Sequence, residues 1–340
     1  MDYNVLISTG QATDVERWNN LAVSNGNLIQ HTITAAVDTF FGSESVYIEI
    51  LKDNNLVAGY RFSFNESKRL PSFLRYISRR ANFWSEAIHA SEVDLVQIES
   101  LLSRAIDEYL HKQRIVKVAY IDYYGYGITP SIFKRTDATK FRIAQLDLSL
   151  SETELWDNIH SKHRNVIRKA EKNQVRVELS TNIDLFIQLL QTTYEGQTSH
   201  SAPNILYIKS LYEKYAPSGN ILIYIAYHED TAFSASIVTT CGEVAYYAFA
   251  GNIKNFWLSG QIIQWHIMKD LKAKGFKKYV LGQVKSESDT GSSNDKFING
   301  ISPFKMRFGP TLTAGVSTVI TLKPFASFLW NVLVKILIRK

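Results

Sequence analysis

A single cysteine, Cys241, stands in a chain of 340 residues. That scarcity excludes an internal disulfide and fits a reducing compartment. Cys241 lies in the run Ile237-Val-Thr-Thr-Cys-Gly-Glu-Val244, which reads as the buried end of a strand rather than as a nucleophile's setting. The chain also lacks a P-loop, a nucleophile elbow and a His-Glu-x-x-His pair, so three common ways of doing hydrolytic or phosphoryl chemistry have no sequence basis here. His160 and His163 sit three apart, but no third ligand converges on them in the sequence, and a metal site is not expected. The opening Met1-Asp-Tyr-Asn-Val5 carries an acid where a secretion signal carries bases, and no apolar segment follows. The expected location is cytoplasmic.

What is present points to a globular protein with two domains. Apolar residues make up 45% and charged residues 21%, a globular balance, and the length suits two domains of ordinary size. Aromatics are abundant, with 18 Tyr, 18 Phe and 6 Trp. Between His160 and Glu178 six Lys or Arg face two acids, a local +4 in a chain whose whole surplus is +6. Leu155, Ile159, Val166, Ile167 and Ala170 recur there at helical spacing, which places the bases on the other faces of one or two short helices. Val175 to Leu179 then alternates like a strand. Such a cationic face either holds an anionic substrate or is simply solvated.

Some 130 residues later the chain reads Ser302-Pro-Phe-Lys-Met-Arg-Phe-Gly-Pro310. A tryptophan-led helix running into Arg164-Asn-Val-Ile-Arg-Lys-Ala-Glu-Lys172, a late Tyr246-Tyr247 strand and Phe304-Lys-x-x-Phe-Gly309 together resemble the FemABX family. The resemblance implies an α+β protein of two tandem GNAT-like domains, each a mixed, mostly antiparallel sheet flanked by helices. The predicted divisions are residues 1–140, residues 141–322 and an amphipathic C-terminal helix over 323–340. The element pattern repeats accordingly. Capping-box spellings at Thr13-x-x-Glu16 and Ser151-x-x-Glu154 open helices, Asp53-Asn-Asn55 turns a hairpin, and long helices are predicted at Ser91–Lys112 and Gln261–Lys274.

The resemblance also assigns roles. Lys305 stands near the acyl-transfer centre and stabilises developing negative charge; the competing reading is a surface lysine. Of Tyr246 and Tyr247 only one faces the cleft by strand alternation, and the match selects Tyr247, with Phe249 on the same face; core packing explains the tyrosine equally well. Arg164, Arg168 and Lys169 are candidates for substrate phosphates, and Trp257, Phe249 and Phe304 for substrate contact. Ser259, Gly260 and Gln261 occupy the place of the GNAT phosphate loop, with one glycine where that motif has two.

The implied function is an acyl or aminoacyl transferase that forms an amide on an amine of a cell-envelope precursor. That precursor is either a peptidoglycan stem peptide or an amino sugar of a polysaccharide, and no covalent enzyme intermediate is expected. The donor is a co-substrate, aminoacyl-tRNA or acyl-coenzyme A, and no tightly bound cofactor is expected. The implied partners are a phosphate-bearing glycan or peptidoglycan precursor and, through the donor, tRNA. The alternative is a non-catalytic GNAT-like scaffold that binds an anionic glycan or nucleic acid at the membrane surface. The tail Phe325–Ile338 is too short to span a bilayer. It either lies in a membrane interface at the inner face of the cytoplasmic membrane or docks on its own protein.

Overall fold

The computed structural model describes residues 3–195, 203–253, 256, 260–285 and 300–338. The chain divides into two compact units, residues 1–141 with 314–340 and residues 142–313. The first unit begins with β1 (Tyr3–Thr9), α1 (Val15–Ser24), α2 (Thr32–Phe40), β2 (Glu44–Lys52) and β3 (Asn55–Asn65). After a 3-10 turn at Ser72–Ser78 come β4 (Arg80–Trp84), β5 (Ile88–His89), α3 (Leu95–Lys112) and β6 (Lys117–Ile121). The β2–β3 hairpin closes through Asp53 and Asn54. Both have left-handed φ, 49° and 61°, the turn that matches the twist of paired strands.

α1 starts one residue later than its spelling suggests. Asp14 is the cap, accepting from Arg17 N at 3.0 Å, while Thr13 donates both its N–H and its hydroxyl to Glu49 Oε1 at 2.7 Å. Glu49 is buried, and a buried carboxylate without donors costs more than a second choice of cap. α3 is likewise shorter than predicted, because Asp94 caps it through Val96 N and Gln97 N.

The second unit runs β7 (Thr139–Asp147), α4 (Glu152–Asn158), α5 (Ser161–Lys172), β8 (Arg176–Ser180), α6 (Ile183–Tyr194), α7 (Ile205–Tyr215), β9 (Ile221–His228), β10 (Thr231–Cys241) and β11 (Val244–Asn252). Then follow α8 (Gln261–Ala273), β12 (Lys278–Val284) and α9 (Ser302–Met306). Ser151 forms the expected reciprocal capping box with Glu154. The strands are ordered β7-β12-β11-β10-β9-β8. β8 to β11 pair antiparallel, whereas β11 and β12 pair parallel and only over Val244–Tyr246 with Lys278–Val280. Beyond Tyr246 the two strands part, β12 continuing against β7 and β11 against β10. The core of this unit gathers Leu155, Ile167, Tyr224, Trp265, Tyr279 and Phe308.

The chain then returns to the first unit. β13 (Thr311–Thr321), which the sequence reading does not anticipate, pairs with β6. α10 (Pro324–Ile338) packs Ala326, Leu329, Trp330 and Leu333 onto Leu70, Leu74, Ile77 and Val116. The second unit therefore ends near residue 313, not 322, and the tail helix shares a core with the first unit. Among the described residues no helix is long and apolar enough to cross a membrane.

Candidate active site

A cavity of about 620 Å³ in the second unit borders the part of β11 that lies beyond its pairing with β12. Its walls include Tyr247 and Phe249 of β11, Gly260 and Gln261 at the start of α8, and Phe304 and Lys305 of α9. Ala248 is an extra residue in β11, since Ile237 pairs with Phe249 and Val238 with Tyr247. This bulge breaks strict alternation, and Tyr247, Ala248 and Phe249 all border the cavity.

Lys305 is held by a local frame built from its motif. Phe308 is fully buried, and the rings of Phe304 and Phe308 meet edge to face at 5.3 Å. His163 lies against both, 5.4 Å and 4.7 Å away between ring centres. Its Nε2 is 3.0 Å from Phe304 O; a carbonyl only accepts, so this nitrogen carries the proton. Burial lowers the pKa of His163 and keeps the ring neutral. Gly309, at φ +73°, brings its backbone so close to Asn158 that a Cβ would stand 2.5 Å from the Asn158 carbonyl oxygen. His160 N donates to Arg307 O at 2.8 Å. The corner of α4 and α5 thus clamps the segment that carries Lys305.

The Lys305 ammonium donates to Gln283 O at 3.0 Å. Desolvation by burial brings its pKa down to about 8, so near neutral pH it is a charged group short of water, the state in which a cation acts most strongly on a nearby oxyanion. Gly282, at φ +80°, lies beside it: a Cβ there would stand 2.7 Å from Tyr246 Oη and 3.5 Å from Lys305 Nζ. Alternation selects Tyr247 and passes over Tyr246, yet the Tyr246 phenol also reaches the lysine's side of β12. Only the missing Cβ of Gly282 leaves room for it, a contact across 36 residues of sequence that periodicity does not reveal.

Tyr247 is hydrogen-bonded to Ser236, and burial raises its phenol pKa, so it remains protonated. Ser236 in turn accepts from Gln264 Nε2 at 3.3 Å, and Gln264 Oε1 accepts from Tyr279 Oη at 2.9 Å. α8 begins at Gly260 with no side-chain cap, and its N-terminal end borders the cavity. Uncapped N–H groups at a helix start favour an anion.

The α5 cations do not line this cavity. Arg164 Nη1 donates to Asp157 O at 3.0 Å and Trp156 O at 3.5 Å, closing the C-terminal end of α4. The Arg168 guanidinium lies 5.3 Å from the Trp156 ring centre, and Lys269 stacks likewise on Trp265 at 5.4 Å. Lys169 is exposed. Arg168 borders a separate groove of about 410 Å³ that also contains Glu152 and Glu171, so that surface is of mixed charge. Trp257 and Ser259 lie outside the described residues. Among the described residues no cluster of three or more His, Cys, Asp or Glu could hold a metal ion. His160 is engaged in capping α5 through Lys162 N.

Residues 158–296 match the family model of an acetyltransferase (GNAT) domain. No curated protein matches the chain in sequence. Among solved structures the chain is similar to FemX, at 13% identity and TM-score 0.69, over 92% of this chain and 98% of FemX. It is also similar to the C-terminal domain of a putative lysylphosphatidylglycerol synthetase from Agrobacterium fabrum, at 12% identity, TM-score 0.53, and 93% and 94% coverage. A tandem GNAT protein from the clavulanic acid biosynthesis pathway matches at 10% identity, TM-score 0.52, and 94% and 99% coverage. These likenesses show the fold: the chain has the tandem GNAT-like architecture also seen in FemX, and residues 158–296 within it match a GNAT acetyltransferase domain.

Proposed function

We propose that the second unit transfers an acyl or aminoacyl group to an amine of a cell-envelope precursor. The observation that carries this reading is Lys305, a desolvated ammonium fixed to Gln283 O in the wall of a cavity that it shares with Tyr247, Phe249 and Phe304. The donor's carbonyl stands near Lys305, and its phosphate lies at the α8 start by Gly260 and Gln261. The acceptor amine attacks the carbonyl carbon, forming the C–N bond, and Lys305 stabilises the oxyanion. The C–O or C–S bond to the carrier then breaks, and the amine's proton ends on the leaving group through the protonated Tyr247 phenol. Phe249 and Phe304, which line the cavity, hold the apolar parts of the substrates.

A cell-envelope acceptor is supported by the FemABX resemblance and by the likeness to a synthetase of lysylphosphatidylglycerol. Arg168 and Lys169 are assigned to a phosphate of the acceptor away from the reacting atoms, whereas Arg164 serves the α4–α5 corner. Mass spectrometry of amide products tests the reading, using acyl-coenzyme A and aminoacyl-tRNA donors against peptidoglycan-precursor and amino-sugar acceptors. One donor–acceptor pair should yield product with wild type, and Lys305→Ala should lower kcat about 10²- to 10³-fold. Equal turnover by the two proteins would overturn the assignment.

A further inference from the structure

We propose that the first unit docks on anionic bilayers through a two-part surface formed by α10 and the 3-10 turn beneath it. α10 has two apolar faces. Ala326, Leu329, Trp330 and Leu333 pack inward. Phe325, Phe328 and Val332, at spacings of three and four on another face, are 75%, 62% and 40% exposed. The turn that α10 covers presents Phe73, 74% exposed, and Leu322 just before the helix is also exposed. An isolated exposed phenylalanine is ordinary; several large apolar side chains on two packed elements are not.

Charge selects the occupant. Residues 66–80 contain Lys68, Arg69, Arg75, Arg79 and Arg80 against the single acid Glu66. Residues 322–340 contain Lys323, Lys335, Arg339 and Lys340 and no acid. These two segments carry +8, more than the +6 of the whole chain, so the rest of the protein is slightly acidic. Arg79 pairs with Glu66 at 2.9 Å, and the Arg80 guanidinium lies 5.9 Å from the Trp330 ring centre. Lys68, Arg69, Lys323 and Lys335 are exposed. Exposed aromatic side chains on two segments rich in cations match an anionic headgroup layer over shallow acyl chains. Single-stranded RNA would stack on Phe73, Phe325 and Phe328 but leave the aliphatic Leu322 and Val332 in water, whereas a bilayer buries all five. With no described helix able to cross, the contact is interfacial. The surface is independent of the chemistry at Lys305.

Removing the tail does not test this cleanly, because α10 also covers Leu70, Ile77 and Val116. Point changes on the outer face do. The full chain is floated with vesicles of phosphatidylcholine alone and of phosphatidylcholine mixed with phosphatidylglycerol. Wild type should rise with the mixed vesicles, less so as salt is added, and stay behind with the neutral ones. Phe73→Ser, Phe325→Ser and Phe328→Ser together should weaken vesicle binding at least about tenfold while leaving the melting curve unchanged. Lys68→Glu, Arg69→Glu and Lys323→Glu together should abolish the preference for anionic vesicles. Failure of wild type to float, or unchanged binding by the triple Phe variant, overturns the proposal. So does a dimer that the same Phe changes dissociate in the absence of vesicle binding.

Discussion

In the role proposed for it, Lys305 sets function against stability at a single side chain. Its pKa falls from the ordinary 10.5 to about 8 because burial penalises the ammonium, which corresponds to about 3 kcal/mol. The Nζ–Gln283 hydrogen bond returns about 1 kcal/mol of that. Lys305→Met should therefore stabilise the protein by about 2 kcal/mol while removing activity. The sign fixes the pH window. Below about 8 the lysine is charged in both folded and unfolded states and the penalty is complete. Between about 8 and 10.5 only the unfolded chain is fully protonated, so the penalty fades and Met loses its advantage. Urea unfolding of both proteins at pH 7 and near pH 10.5 measures this, and a Met variant less stable than wild type at pH 7 would show that the ammonium is not desolvated. At Tyr247 the prediction is milder. Tyr247→Phe keeps the packing but removes the O–H, and should lower kcat about tenfold to a hundredfold with little change in KM; steady-state kinetics separate the two.

The α4–α5 corner is the element that places the site. Arg164, His163, His160 and Asn158 all hold either α4 or the segment 304–309 in place. Gly309→Ala should cost about 2–3 kcal/mol, because a Cβ at φ +73° meets the Asn158 carbonyl. It should also lower kcat, since the frame around Lys305 moves. Arg164→Ala should cost about 1 kcal/mol of stability, with no effect on KM beyond that loss, whereas Arg168→Ala and Lys169→Ala should raise KM for a phosphate-bearing acceptor. Thermal melts and initial rates on the same four proteins distinguish the roles, and a raised KM with an unchanged melt for Arg164→Ala would return that arginine to the substrate.

Across the whole molecule, legibility follows sequence distance. Phe304, Lys305, Phe308 and Gly309 are readable because the frame is written within six residues, and Ser151–Glu154 and the Asp53–Asn55 turn are readable for the same reason. His163 is not: its partner Phe304 lies 141 residues away, beyond the reach of any local pattern. The assignment of Arg164 to phosphate fails to anticipate that a helix end needs its carbonyls closed. β13 returns the chain to the first unit through pairing with β6, a partner that alternation alone does not name. Two polar knots in the first unit were equally hidden. Glu86 is buried and accepts from the backbone of Tyr123, Tyr124 and Gly125, and Asp122 accepts from Val316 N at 2.7 Å; burial raises both carboxyl pKa values.

If the Lys305 cation stabilises the oxyanion of acyl transfer, its titration shapes the pH–rate profile. A cation titrating at about 8 gives a kcat that is full below that pH and falls above it, after the rise set by deprotonation of the acceptor amine. Arginine keeps its charge to far higher pH, so whatever rate Lys305→Arg retains should lose that descending limb and hold steady from pH 8 to 10. The same alkaline limb in both proteins, or a wild-type rate that climbs through pH 8 without falling, would show that the Lys305 charge does not stabilise the oxyanion.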